Sequence, residues 1–149
     1  MRDLLNDVVI KEIEYGSKAY EETIVLRNEV FRKPWGLDIK DDDLSPDMEM
    51  DIYGAYLKDR LIATIFLAVH EEGVARVRNV AIYEDYRGIG LGKYLMDFAE
   101  NLARNQGYKK VFLMGRTTVE AFYHKLGYKT LGQPYDYRTI PHVDMIKDL

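Results

Sequence analysis

Arg87-Gly88-Ile89-Gly90-Leu91-Gly92-Lys93 is the stretch from which the rest of the chain can be ordered. Three glycines alternate here between an apolar run ending at Ile82 and a segment with helical spacing. Glycine takes positive φ without steric cost, so such a loop can turn several backbone N–H groups toward one point. A helix that follows adds its own unpaired first amides and the positive end of its dipole. Arg87 and Lys93 place cations on either side. The combination predicts a cradle for a phosphate or pyrophosphate. Two nucleotide motifs do not fit it. A P-loop needs four residues between Gly and Gly-Lys and then Ser or Thr, whereas Gly88 and Gly92 enclose three and Tyr94 follows Lys93. A dinucleotide fingerprint starting at Gly88 would need glycine where Lys93 stands, and one starting at Gly90 meets Leu95.

Working outward from the loop, Leu91, Leu95, Phe98, Ala99, Leu102 and Ala103 recur at helical spacing, and Gly107 closes the helix. Upstream, residues 52–57, 61–70 and 74–82 read as three strands joined by turns at Lys58-Asp59-Arg60 and Glu71-Glu72-Gly73, an antiparallel meander. Residues 8–13 read as a first strand. Ser17 is the expected N-cap of a helix through Leu26, Val30 and Phe31, which Pro34 ends. Downstream come a short buried strand (110–114), a short helix (119–126) and two strand segments (128–131 and 143–146). This order predicts a mixed α/β single domain over residues 1–149.

Composition narrows the function classes. The chain has 149 residues, long enough for one core without staples, and it has no cysteine, so disulfides, thiolate zinc sites and a cysteine nucleophile are excluded. A net charge of −4 supplies no basic field for nucleic acid. Met1 to Asp7 meets acid before any apolar region, unlike a signal peptide. The longest apolar run, Leu61 to Val69, is about half of a membrane span. The expectation is a cytoplasmic protein with no membrane partner. Three scattered histidines without cysteine predict no metal site.

Two motifs together carry a family resemblance. Arg87-Gly88-Ile89-Gly90-Leu91-Gly92 resembles the R/Q-x-x-G-x-G/A acyl-CoA loop of the GNAT acyltransferase superfamily. Ala121-Phe122-Tyr123-His124-Lys125-Leu126-Gly127-Tyr128 resembles its F-Y-x-K-x-G-F/Y signature, and Arg78-Asn79-Val80-Ala81-Ile82 its central strand. Ile140-Pro141-His142-Val143-Asp144-Met145 is similar to an I-P-H-x-x-M element of a small bacterial branch, which Leu26-Arg27-Asn28-Glu29-Val30-Phe31-Arg32 also suits. The resemblance implies a mostly antiparallel central sheet flanked by helices. It also implies acetyl transfer from acetyl-CoA to a primary amine of a small molecule, in a family many of whose members are dimers.

Carried over by residue, the backbone of Val80, Ala81 and Ile82 would pair with the pantetheine arm. Arg87, Gly88 and the amides of Ile89, Gly90, Leu91, Gly92 and Lys93 would hold the pyrophosphate, and Phe122 and Lys125 would border the cofactor. Tyr123 stands where the family places the donor to the departing thiolate; the plain alternative is that it packs its helix on the sheet. The strand glutamate of many members is missing, with Arg78 and Asn79 in its stretch. Either His142 accepts the amine proton or water relays it; His142 as a strand-edge residue is the alternative. His70 and His124 are weaker bases by position. Seven acids between Asp38 and Asp51 read as a solvated loop, or as a negative rim for a cationic acceptor. A non-catalytic acyl-CoA binding or sensing domain is the competing function.

Overall fold

Alternating strand and helix signals become β1 (Val9–Ile13), α1 (Lys18–Phe31), β2 (Asp51–Leu57), β3 (Arg60–Glu71), β4 (Val74–Ile82), α2 (Leu91–Asn105), β5 (Lys110–Arg116), α3 (Glu120–Lys125), β6 (Lys129–Tyr137) and β7 (Ile140–Asp148). These belong to a computed structural model that describes residues 4–149. Seven strands make one sheet in the order β1-β2-β3-β4-β5-β7-β6, with β4 at its centre. β1 with β2, β2 with β3, β5 with β7 and β6 with β7 are antiparallel. β4 and β5 are parallel, pairing Val74 with Lys110, Ala75 with Val111 and Arg76 with Phe112. A parallel neighbour requires a crossover, and α2 supplies it. The fold is the mixed, mostly antiparallel α/β sheet that the sequence predicts.

Residues group into two compact units, 4–67 with 79–96 and 68–78 with 97–149; β3, β4 and α2 contribute to both. In the first unit, Ser17 caps α1 by accepting the Tyr20 amide at 3.1 Å. Leu26, Val30, Ile52, Phe66 and Ala81 are among the buried residues of its core. The β2–β3 hairpin turns on two residues rather than three. Lys58 and Asp59 both have positive φ (50° and 65°), as primed hairpin turns require, and Arg60 already pairs with Leu57.

The acidic segment is only in part the solvated loop expected: Asp41, Asp43, Glu49 and Asp51 are exposed, but others are drawn in. Residues 39–41 and 45–49 form 3-10 turns, and Asp47 is 4% exposed. Its Oδ2 accepts from the Tyr20 hydroxyl at 2.8 Å and from Arg27 Nη1 at 2.9 Å. Asp42 accepts from both Nε and Nη2 of Arg32. Composition reports charge but not partners, and these partners lie on α1 and just past its end.

In the second unit, Val111, Phe112 and Leu113 of β5 are all buried, and on β7 the buried residues alternate as Val143 and Met145. Glu100 of α2 is 3% exposed and accepts from the Tyr128 hydroxyl (2.9 Å) and Lys147 Nζ (2.7 Å), which ties the helix to β7. β6 and β7 are longer than the sequence predicts. Gly132 and Pro134 disfavour a regular strand, but β6 is an edge strand, and its register shifts between Leu131 and Tyr135. Edges and bulges are where a strand tolerates both residues. The closing turn, Arg138-Thr139, carries none of the usual hairpin residues although both have positive φ (52° and 66°).

Candidate active site

The first unit holds the glycine loop. β4 ends at Ile82, and the Tyr83 amide donates to the Ile62 carbonyl at 3.1 Å, which ties the start of the loop to β3. Arg87 Nε donates to the Ile82 carbonyl at 3.2 Å, so this side chain spans the neck of the loop. Gly88 and Gly90 have φ of 78° and 87°. A Cβ at Gly88 would meet nothing, and one at Gly90 only Leu5 Cδ1 at 3.4 Å. Backbone conformation rather than lack of room therefore demands glycine. The first helical rung runs from the Tyr94 amide to the Gly90 carbonyl, so the Leu91 and Gly92 amides lie ahead of the ladder. Leu91 and Leu95 are 1% and 0% exposed and anchor this end of α2. The donor set, backbone amides at a buried helix start beside cationic side chains, fits a pyrophosphate.

Asn79, just before Val80, Ala81 and Ile82, has φ of 54°. Its carbonyl accepts from Thr64 Oγ1 at 2.9 Å, while its Nδ2 is buried without an acceptor. In the sequence Asn79 is part of the central-strand stretch and stands where many members carry a glutamate. Its buried amide donor is a feature that no spacing rule reveals.

The second unit carries Tyr123, Phe122, Lys125 and His142. Tyr123 is 8% exposed on α3; its ring meets Phe122 (5.1 Å between centroids) and Tyr128 (5.7 Å), both edge-on. Gly115 of β5 lies beneath it: a Cβ there would stand 3.5 Å from the Tyr123 ring, an ordinary contact. Burial pushes the Tyr123 phenol up to about 12, against a weaker opposing pull from Arg116. Tyr123 is thus both packed and protonated at neutral pH. Phe122 and Lys125, by contrast, are exposed.

His142 is half-buried on β7, facing Arg116 of β5 and Tyr135 of β6 in register. Its Nδ1 lies 2.8 Å from the Ile140 carbonyl, which can only accept, so Nδ1 carries the proton and Nε2 is directed to act as acceptor. The other histidines are engaged elsewhere. His70 stacks on Phe112 at 3.9 Å, and His124 Nε2 bonds Thr130 Oγ1 at 2.8 Å while that hydroxyl donates to Glu120. Among the described residues, no group of three or more His, Cys, Asp or Glu could hold a metal ion.

The acetyltransferase (GNAT) domain model matches residues 19–149. A candidate acetyltransferase of Bacillus subtilis (strain 168) is 38% identical over 93 residues, covering 54% of this chain and 63% of that protein. An uncharacterized N-acetyltransferase of the same organism, YitI, is 36% identical over 80 residues, covering 53% and 54%. The matched stretches thus span about half to less than two thirds of the length of these curated relatives. Among solved structures, a candidate N-acetyltransferase from Lactobacillus plantarum superposes with a TM-score of 0.83 at 29% identity, over 97% of this chain and 99% of that one. A GNAT acetyltransferase from Elizabethkingia anophelis, solved with acetyl-CoA bound, shares the fold (TM-score 0.74, 16% identity, 97% and 99% coverage). The chain belongs to the GNAT acetyltransferase family.

Proposed function

We propose that this protein transfers the acetyl group of acetyl-CoA to a primary amine of a small molecule by direct attack, as a single GNAT-type domain acting in the cytoplasm. The observation that carries the reading is the loop at residues 87–93, with glycines held at positive φ ahead of a buried helix start. There the amides of Ile89 to Lys93, with Arg87 and Lys93, bind the pyrophosphate, and the backbone of Val80 to Ile82 takes the pantetheine arm.

Direct attack is favoured because the chain offers no committed nucleophile. There is no cysteine; of the two serines, Ser17 spends its hydroxyl on its helix cap and on the Glu14 carbonyl at 2.6 Å, and Ser45 hydrogen-bonds Asp43. Attack of the neutral amine on the thioester carbonyl forms the amide and breaks the C–S bond, releasing CoA thiolate. His142 Nε2, or a water, accepts the amine proton. Tyr123 donates a hydrogen bond to the departing sulfur. With its phenol near 12, full transfer to a thiolate of roughly 8.5 is uphill by ~5 kcal/mol, so its role is the hydrogen bond.

The test mixes the protein with acetyl-CoA and a panel of amines and follows thiol release. Acetyl transfer that falls ~100-fold in Tyr123→Phe, with the KM for acetyl-CoA little changed, supports the reading. Arg78 and Asn79, standing where many members carry a glutamate, favour a second reading, an acyl-CoA sensor. Tight CoA binding with no turnover of any amine would establish it instead.

A further inference from the structure

One face of the second unit's sheet is rich in arginine although the chain as a whole is acidic. Arg76 and Arg78 are two residues apart on β4 and so share a face. Phe112, Met114 and Arg116 alternate along β5, and Met114 and Arg116 face Asp144 and His142 of β7. Arg76 is the unusual member. Its guanidinium lies 5.8 Å from the Phe112 ring centroid, and its Nη2 donates to Met114 Sδ at 2.8 Å, a weak acceptor. Its Nε is buried with no acceptor. Asp144 attracts Arg76 through space, and its carboxylate accepts from the Tyr135 hydroxyl. Burial and the charge of Arg78 both act against the Arg76 cation. A buried charged donor left unpaired is costly, and a ligand oxygen removes that cost.

We infer that this face binds the carboxylate of the acceptor, so that the substrate is a small α-amino acid rather than a polyamine. The inference rests on the amine-acetylating reading above and names its substrate class. The Arg76 guanidinium pairs with a planar carboxylate, and Arg78 adds to the field. Asp144 disfavours a phosphate dianion more than a carboxylate monoanion. The cluster lies in the same unit as the candidate chemistry: Arg116 acts on the Tyr123 phenol, and His142 faces Arg116 in register. Of the acidic segment, Asp42 and Asp47 are already paired with Arg32 and Arg27.

The experiment compares amino acids with their decarboxylated amines, such as phenylalanine with phenethylamine and alanine with ethylamine. The wild type should favour the amino acid by about tenfold or more in kcat/KM, the scale of one charge-assisted hydrogen bond. Arg76→Gln should raise the amino-acid KM by a similar factor with kcat nearly unchanged and leave the plain amines unaffected; Arg76→Lys should rescue only in part. Equal use of both amine classes, or an equal loss on both in Arg76→Gln, overturns the inference while leaving acetyl transfer intact. Turnover is not needed to decide it. The 15N-resolved Nε–H signal of Arg76, assigned by its loss in Arg76→Gln, should move on titration with N-acetylphenylalanine but not with N-acetylphenethylamine. A signal that moves only with inorganic phosphate, or with none of these, also overturns it.

Discussion

The two compact units bring different kinds of chemistry. The first offers a ligand its backbone: amides at the start of α2 and a loop whose shape depends on glycines at positive φ. The second offers side chains: Tyr123 sunk between aromatic rings, His142 with its tautomer set by a carbonyl, and Arg76 with an unspent donor. Yet both stabilise themselves in the same way. Each buries one carboxylate among the described residues, and that carboxylate accepts from one tyrosine and one cation: Asp47 with Tyr20 and Arg27, Glu100 with Tyr128 and Lys147. The lesson is that a backbone site is changed only by changing conformation, while a side-chain site can be changed one functional group at a time.

The largest expected effect tests the shared hub. Arg27 and Asp47 are each 5% exposed at the side chain, whereas Lys147 is 22% exposed. Stranding a buried carboxylate costs ~3–5 kcal/mol, and water reaches the partner of the more exposed cation more easily. Urea unfolding should therefore show a greater loss for Arg27→Met than for Lys147→Met. Equal losses would mean that the two hubs are alike and exposure does not separate them.

Next in size is the backbone site. Gly90→Val places a β-branched residue at a φ of 87°, a strain of ~1–3 kcal/mol, so CoA should bind roughly 5- to 150-fold more weakly by calorimetry. Once acetyl-CoA saturates, kcat should change little, the reverse of the pattern expected for Tyr123→Phe. If both variants affect the same parameter, the division between backbone and side-chain roles fails.

The smallest effect is a pH dependence in the second unit. The folded Tyr123 phenol is raised to about 12 from an unfolded value near 10. The stability held by the neutral phenol is whole below pH 10 and is lost as pH rises toward 12, ~1 kcal/mol of it by pH 11. Tyr123→Phe lacks this loss. Its Tm relative to wild type should thus rise between pH 9 and 11, and a constant difference would show that the phenol is not desolvated.

Much of this arrangement was legible beforehand. Element order followed from periodicity, because Leu91, Leu95 and Ala99 and the runs at 52–57 and 61–70 each serve one face or one buried strand. The loop was legible because alternating glycines have a direct backbone meaning. The Arg138-Thr139 turn was not, since those residues adopt positive φ under the pairing of β6 with β7 rather than by preference. The fate of Asp47 was equally hidden: its partners lie 20 and 27 residues away.

By itself, then, the sequence determined the order of strands and helices, the glycine loop and the absence of a thiol nucleophile, all of which depend on local preference or on composition. Tertiary structure decided which charges are spent and which remain. It paired Asp47 and Asp42 internally, set the proton of His142 on Nδ1, and left Arg76 Nε without an acceptor. The physical reason is that desolvation and hydrogen-bond pairing depend on neighbours brought together from distant parts of the chain.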